Sequence, residues 1–184
     1  MIIAKPKERP KRYLGLDLSL SPGLAVIDVK ERIPTLVYTG SVATDTNINH
    51  AARSVVVESF IAQNVYEYMP FDIVLREDFT SGKNKDATRA VFNSWTAADR
   101  ALNVFGYEAA KFKKGEHLTP TTVKKAVGGS GRADKKEVAN GVRRLLRLPD
   151  DYPFKDGNDD SDACAVILTY LMRENLIDTE ADAA

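Results

Sequence analysis

The chain has 184 residues, comfortable for one folded domain and tight for two. Its composition, 43% hydrophobic and 28% charged with a formal net charge of zero, is that of an ordinary soluble globular protein. Its single cysteine, Cys164, excludes an intramolecular disulfide and suits a reducing cytoplasm, and no apolar run approaches the roughly 18 to 20 residues that span a bilayer.

The first segment, MIIAKPKERPKR, is basic, bears two prolines and lacks the apolar centre of a signal peptide; residues 1–12 are expected to form a flexible arm. In YLGLDLSL (13–20) the leucines alternate, which predicts a strand. Ser21-Pro22-Gly23 reads as a turn, LAVIDV (24–29) as a second strand and TLVYTGSV (35–42) as a third. Short connections between them predict an antiparallel meander. Residues 48–69 have helical spacing, with Ile48, Ala52, Val55, Val56, Phe60 and Met69 roughly on one side. FDIVLRED (71–78) reads as a short buried strand, residues 85–105 as an amphipathic helix ended by Gly106, and YEAAKF (107–112) as a fifth strand.

Two helical stretches, 119–127 and 133–148, flank a glycine-rich break, with Thr119 placed to cap the first and Pro120 at its first turn. A final helix is expected over 159–175, followed by an acidic tail, 176–184. The pattern predicts one mixed α/β domain over 13–175, with the later strands parallel because they arrive through helical crossovers.

The neutral total hides an asymmetry. Residues 111–147 carry eleven Lys/Arg against three Asp/Glu, and residues 150–184 carry ten Asp/Glu against two Lys/Arg. Such a pair of segments suits a chain that grips a polyanion with one part and holds divalent cations with another, and equally two solvated faces.

Three sources of carboxylate stand out. Asp17 interrupts an apolar strand, where a buried carboxylate wants a cation or hydrogen-bond donors. Glu77 and Asp78 close the apolar run Ile73-Val74-Leu75 at the C-terminal end of its strand, where α/β sheets place functional groups. Asp159, Asp160 and Asp162 open an apolar helix; Asp159 and Asp162 fall on one face, and their mutual repulsion would be relieved by a cation. Each also has an ordinary reading, as an edge residue, a polar strand end or a helix-dipole complement. Hard oxygen donors without paired histidine or cysteine favour Mg²⁺ or Mn²⁺ over zinc. Of the two histidines, His117 lies inside the basic segment and His50 does not.

These motifs resemble the RuvC-type Holliday-junction resolvases of the RNase H-like superfamily. LGLDLSLSPGLAVID is similar to that family's first hairpin, VLREDF to the strand with its second acid, VKKAVGGSGRADKKEV to its lysine-bearing helix, glycine turn and next helix, and DDSDACAVI to its closing aspartate pair. The resemblance spans residues 13–172. It implies an RNase H-like fold with a mixed five-stranded sheet, three meander strands then parallel strands, flanked by helices. It also implies a homodimer acting on four-way junctions and related branched DNA in the cytoplasm, bacterial or that of a phage host, and leaving 5′-phosphates.

On the same basis Asp17, Glu77, Asp159 and Asp162 are the expected ligands of two Mg²⁺ ions, with Mn²⁺ as substitute and no small-molecule cofactor. Lys124 and Lys135 are expected near the scissile phosphate, with Lys125, Arg132, Lys136 and Phe79 as further DNA contacts. Departures from the pattern are the extra acid Asp160, Phe79 one position early with Thr80 at the aligned place, and the basic arm. Residues 85–105, with Trp95, are the candidate dimer seam. Three other readings stay open: an RNase H-like nuclease on other branched DNA or RNA, a non-cleaving branched-DNA-binding protein, and an actin-like ATPase, for which the chain is short.

Overall fold

The computed structural model describes residues 9–18, 21–45, 47–78, 85–154 and 159–179, without the side chains of residues 86, 87 and 159. Three strands, β1 (Lys11–Asp17), β2 (Gly23–Lys30) and β3 (Ile33–Ser41), form the expected meander, β1–β2 and β2–β3 both antiparallel. Helix α1 (His50–Tyr68) then crosses over to β4 (Ile73–Arg76), which pairs parallel to β1, so the strand order is β3-β2-β1-β4. Helix α2 (Lys85–Val104) packs beside α1, and α3 (Pro120–Gly128), α4 (Lys135–Leu145) and α5 (Asp159–Arg173) follow. Among these residues no helix is long and apolar enough to cross a membrane.

Strand alternation divides the core into two layers. Leu14, Leu16 and Leu18 enter one, against Val57, Ile61 and Val65 of α1 and Ala98 and Leu102 of α2. Tyr13 enters the other, against the apolar length of α5 and Val123, Val127, Val138 and Val142 of α3 and α4. Gly15 shares that second face. A Cβ there would lie 2.5 Å from both the Ala163 carbonyl oxygen and Ile167 Cγ1, so the missing side chain lets α5 lie directly on β1. Gly15→Ala is expected to cost about 1–3 kcal/mol of stability, as overpacking of a close contact does, read as a lower midpoint of denaturant unfolding. An unchanged midpoint would show that α5 can give way.

Two expectations need correction. The sheet has four strands among the described residues, not five, and β4 is its one parallel member. The segment 107–118 does run along the open edge of β4, but it is pinned at two points, Ala110 N–H to the Val74 carbonyl and Asp78 N–H to the Leu118 carbonyl, both 2.8 Å. Between those pins residues 111–117 must span what 75–77 cover on the strand, so the chain bulges outward and no ladder forms. In α1 the buried face is Val57, Ile61, Asn64 and Val65, whereas Val55, Val56, Ile48 and Met69, grouped on one side by their spacing, are exposed. The run Val55-Val56-Val57 leaves the phase of the helix undetermined, and contact with α2 and the sheet selects the third valine.

Candidate active site

Asp17 ends β1 and is 7% exposed, on the face that Gly15 opens to α5. The β1–β4 register pairs Gly15 with Leu75 and Leu16 with Arg76, and the Glu77 N–H donates to the Leu16 carbonyl at 3.1 Å. Continued by one residue, the register sets Glu77 beside Asp17 on adjacent strands, about 4.8 Å apart in the direction of pairing. The two acids thus reach the same face because their strands are parallel and in step.

Asp162, in the first turn of α5, completes the group: Asp17, Ser21, Glu77, Asp162, Lys124 and Lys135 line one open cavity of about 520 Å³. Burial and the neighbouring Asp162 push the Glu77 carboxyl up from 4.5 to about 7, and Lys124 offsets part of that rise.

The helices that carry the lysines are placed by local chemistry. The Asp78–Leu118 hydrogen bond holds the chain just ahead of α3, and Thr119 caps that helix by accepting from Thr122 N–H. Gly129, with φ of +82°, ends α3 in the left-handed region that glycine enters freely. Asp134 and Glu137 then form a reciprocal capping box that starts α4 at Lys135. Pro120, Lys135 and Asp162 all line the cavity, so the positive N-terminal ends of three helices converge on it, a setting that favours anions.

Asp160 does not join this group. It is 2% exposed, its carboxylate accepts from the Ser161 N–H at 3.0 Å, and its charge raises the pKa values of Tyr38, Tyr152 and Cys164. That places Asp160 on the β3 side of α5, roughly 200° around the helix from Asp162. The Asp159 side chain, Phe79 and Thr80 lie outside the described residues.

Lys125, Arg132 and Lys136 are exposed on the α3–α4 unit without lining the cavity. His117 bonds through Nδ1 to Asp78 at 3.0 Å and does not line the cavity of Asp17, Glu77 and Asp162, and His50 lies on α1. Ser21 is the lining residue the sequence reading assigned to a turn alone; its one signal is its nearness to Asp17.

The donors suit a hard divalent cation. They are carboxylate oxygens, and burial pushes the Cys164 thiol up to about 12, which removes it as a thiolate ligand. Among the described residues no three His, Cys, Asp or Glu side chains are drawn together tightly enough to form a coordination shell by themselves.

Two acids on parallel strands, a third from the helix laid over them and lysines from α3 and α4 thus line one cavity at the end of a mixed sheet with RNase H-like layout. The family described as crossover junction endodeoxyribonuclease RuvC matches residues 14–170, and this chain belongs to it. A RuvC from Thermobifida fusca is 34% identical over 164 residues, covering 88% of this chain and 85% of its own. One from Thermomicrobium roseum is 31% identical over 165 residues, covering 86% and 91%. The same fold occurs in Thermus thermophilus RuvC in complex with Holliday junction substrate, with a TM-score of 0.73, 23% identity and coverage of 90% and 96%. It recurs in the yeast mitochondrial Holliday junction resolvase Ydc2, with a TM-score of 0.60, 12% identity and coverage of 94% and 82%.

Proposed function

We propose that this chain resolves four-way DNA junctions by metal-assisted phosphodiester hydrolysis, leaving 5′-phosphates, with Asp17, Glu77, Asp159 and Asp162 as the ligands of two Mg²⁺ ions. The observation that carries the reading is the meeting of Asp17, Glu77 and Asp162 in one cavity that also receives Lys124 and Lys135. Asp159 is included on the sequence pattern, three residues before Asp162, whereas Asp160 faces β3. Bound divalent ions would supply an activated water and would offset charge at the attacked phosphate and the leaving 3′ oxygen.

The protein's own part is positional. The acids stand together at the sheet end, in a cavity that α3, α4 and α5 also line. Lys124 and Lys135 face the phosphate from α3 and α4 and stabilise the charge that develops on its oxygens. Lys125, Arg132 and Lys136 continue the basic surface along the backbone, which predicts affinity falling steeply with salt. Two copies related by a two-fold axis would cut opposed strands of a symmetric junction, and α2, with Phe92 and Val104 exposed, is the proposed seam.

The test is a cleavage panel of four-way junction, fork, flap and RNA–DNA hybrid, each with and without Mg²⁺. The junction is expected to be cut with Mg²⁺ and left intact in EDTA, and sedimentation of the complex is expected to show a bound dimer. Preference for the hybrid would move the chain to RNA substrates, and junction binding without cutting would make it a binding protein.

A further inference from the structure

We propose that the end of the sheet farthest from the acids carries a second anion site, which binds a nucleotide through its terminal phosphate. This site does not depend on the nuclease reading, since it shares no lining residue with the acid-lined cavity. The β1–β2 ladder has Asp17 against Gly23 at one end and Lys11 against Val29 at the other, so six residues, about 20 Å of strand, separate the two places. The far end opens into a cavity of about 470 Å³ on the α5 side of the sheet, away from α1 and α2. Lys11, Tyr13, Val29, Lys30 and Leu176 line it, and its volume falls in the range of roughly 300–1,000 Å³ usual for small-molecule sites.

Tyr13 supplies the polar group at the floor. It is only 2% exposed, and its ring is packed 6.2 Å from that of Tyr170. Its hydroxyl has no hydrogen-bond partner among the described residues, where no fully enclosed side-chain oxygen or nitrogen goes without one. The hydroxyl therefore opens on the cavity it lines, where it can donate to a ligand oxygen.

The cations are of two kinds. Arg9 makes two bonds to Asp72, at 2.8 and 2.9 Å, and Arg32 bonds Asp178, the Asn175 side chain and the Ile177 carbonyl. Lys11 and Lys30 are exposed and have no ion pair among the described residues. Two unmatched ammonium groups suit a phosphomonoester, which carries about −1.5 to −2 at pH 7, better than the single charge of a carboxylate or an internal DNA phosphate. The β2–β3 turn holds Lys30 at the mouth at a conformational cost, because Glu31 and Arg32 both have positive φ, 51° and 65°, at positions that Asn-Gly usually fills. Glu31 is the acid of the lining and weakens the site. Val29 and Leu176 add an apolar wall, and the Arg9 guanidinium, held flat by Asp72, offers a plane to a base. A phosphate joined to a nucleoside therefore uses the whole lining, and inorganic phosphate only part of it.

The test is calorimetric titration of the full chain in EDTA with thymidine 5′-monophosphate, thymidine, inorganic phosphate, and a short oligonucleotide ending in a 5′-phosphate or a 5′-hydroxyl. One saturable site is expected for the monophosphate, with thymidine and inorganic phosphate each weaker by roughly tenfold or more. Binding of the 5′-phosphorylated oligonucleotide as well would identify a strand end as a ligand, and its exclusion a free nucleotide; either upholds the site. Lys11→Gln and Lys30→Gln should each weaken binding by roughly tenfold, the scale of one charge-assisted hydrogen bond. Tyr13→Phe keeps the packed ring and should weaken binding several-fold at an unchanged unfolding midpoint. Glu31→Gln should tighten it, and Lys124→Ala, in the acid-lined cavity, should leave it unchanged.

No saturable binding, inorganic phosphate bound as tightly as the monophosphate, or affinity lowered by Lys124→Ala and not by Lys11→Gln or Lys30→Gln would overturn the proposal. Nucleotide binding by a chain that cuts no junction would uphold the site and fail only the nuclease reading.

Discussion

Asp17→Asn and Glu77→Gln are each expected to abolish junction cleavage while leaving junction binding close to wild type. Both acids sit at the ends of paired strands and line the same cavity, so either change removes a carboxylate without moving α3 and α4, which carry Lys124 and Lys135. Lewis-acid stabilisation by a held cation is worth several kcal/mol, and about 1.4 kcal/mol is a factor of ten in rate. Loss of a shared ligand should therefore slow single-turnover cutting by roughly a thousandfold or more. Gel-shift affinity in EDTA should change little, because the backbone contacts come from the lysines and arginine of α3, α4 and their turn. Cutting by Asp17→Asn at a wild-type rate would remove Asp17 from the site.

Glu77→Gln is also expected to stabilise the metal-free protein at neutral and alkaline pH. The Glu77 carboxyl is held at about 7 by burial and by Asp162, against 4.5 when unperturbed. A group whose folded pKa is raised binds its proton more tightly in the fold, so its contribution is complete below about 4.5 and is lost as pH rises through 7. At 1.36 kcal/mol for each pKa unit, the ionised Glu77 weakens the metal-free fold by about 3 kcal/mol above that window. In EDTA the variant should therefore unfold at higher denaturant than wild type at pH 8, and the advantage should vanish by pH 4. Added Mg²⁺ should raise the wild type and not the variant, since a ligand bound to the folded state stabilises it by mass action. A difference that is flat across pH would mean that Glu77 is not held in the buried, acid-flanked setting described.

This trade of stability for a charged cavity also explains what was legible in the sequence. Asp17 was readable because it is a carboxylate in the middle of an apolar strand, and the alternation of Leu14, Leu16, Leu18 and Leu20 gave its face. Glu77 was readable as a strand end, but its pairing with Asp17 required the register of β4, which no local pattern encodes. That Asp160 turns away from the cavity that Asp162 lines follows from helical geometry once α5 lies on Gly15. The start of α3 was a clear signal, because Thr119 caps it through local side-chain chemistry, whereas α4, expected over 133–148, spans Lys135–Leu145 and starts at the Asp134–Glu137 capping box.

Two features were hidden for tertiary reasons. The phase of α1 could not be chosen within three consecutive valines, and the bulge at 111–117 depends on two hydrogen bonds to β4.

The most direct measurement is anomalous diffraction from crystals of the protein soaked in Mn²⁺. The account predicts manganese peaks within coordination distance of Asp17 and Glu77 and of the first turn of α5, and their absence in Asp17→Asn crystals. Manganese bound elsewhere, or unchanged by that substitution, would contradict it.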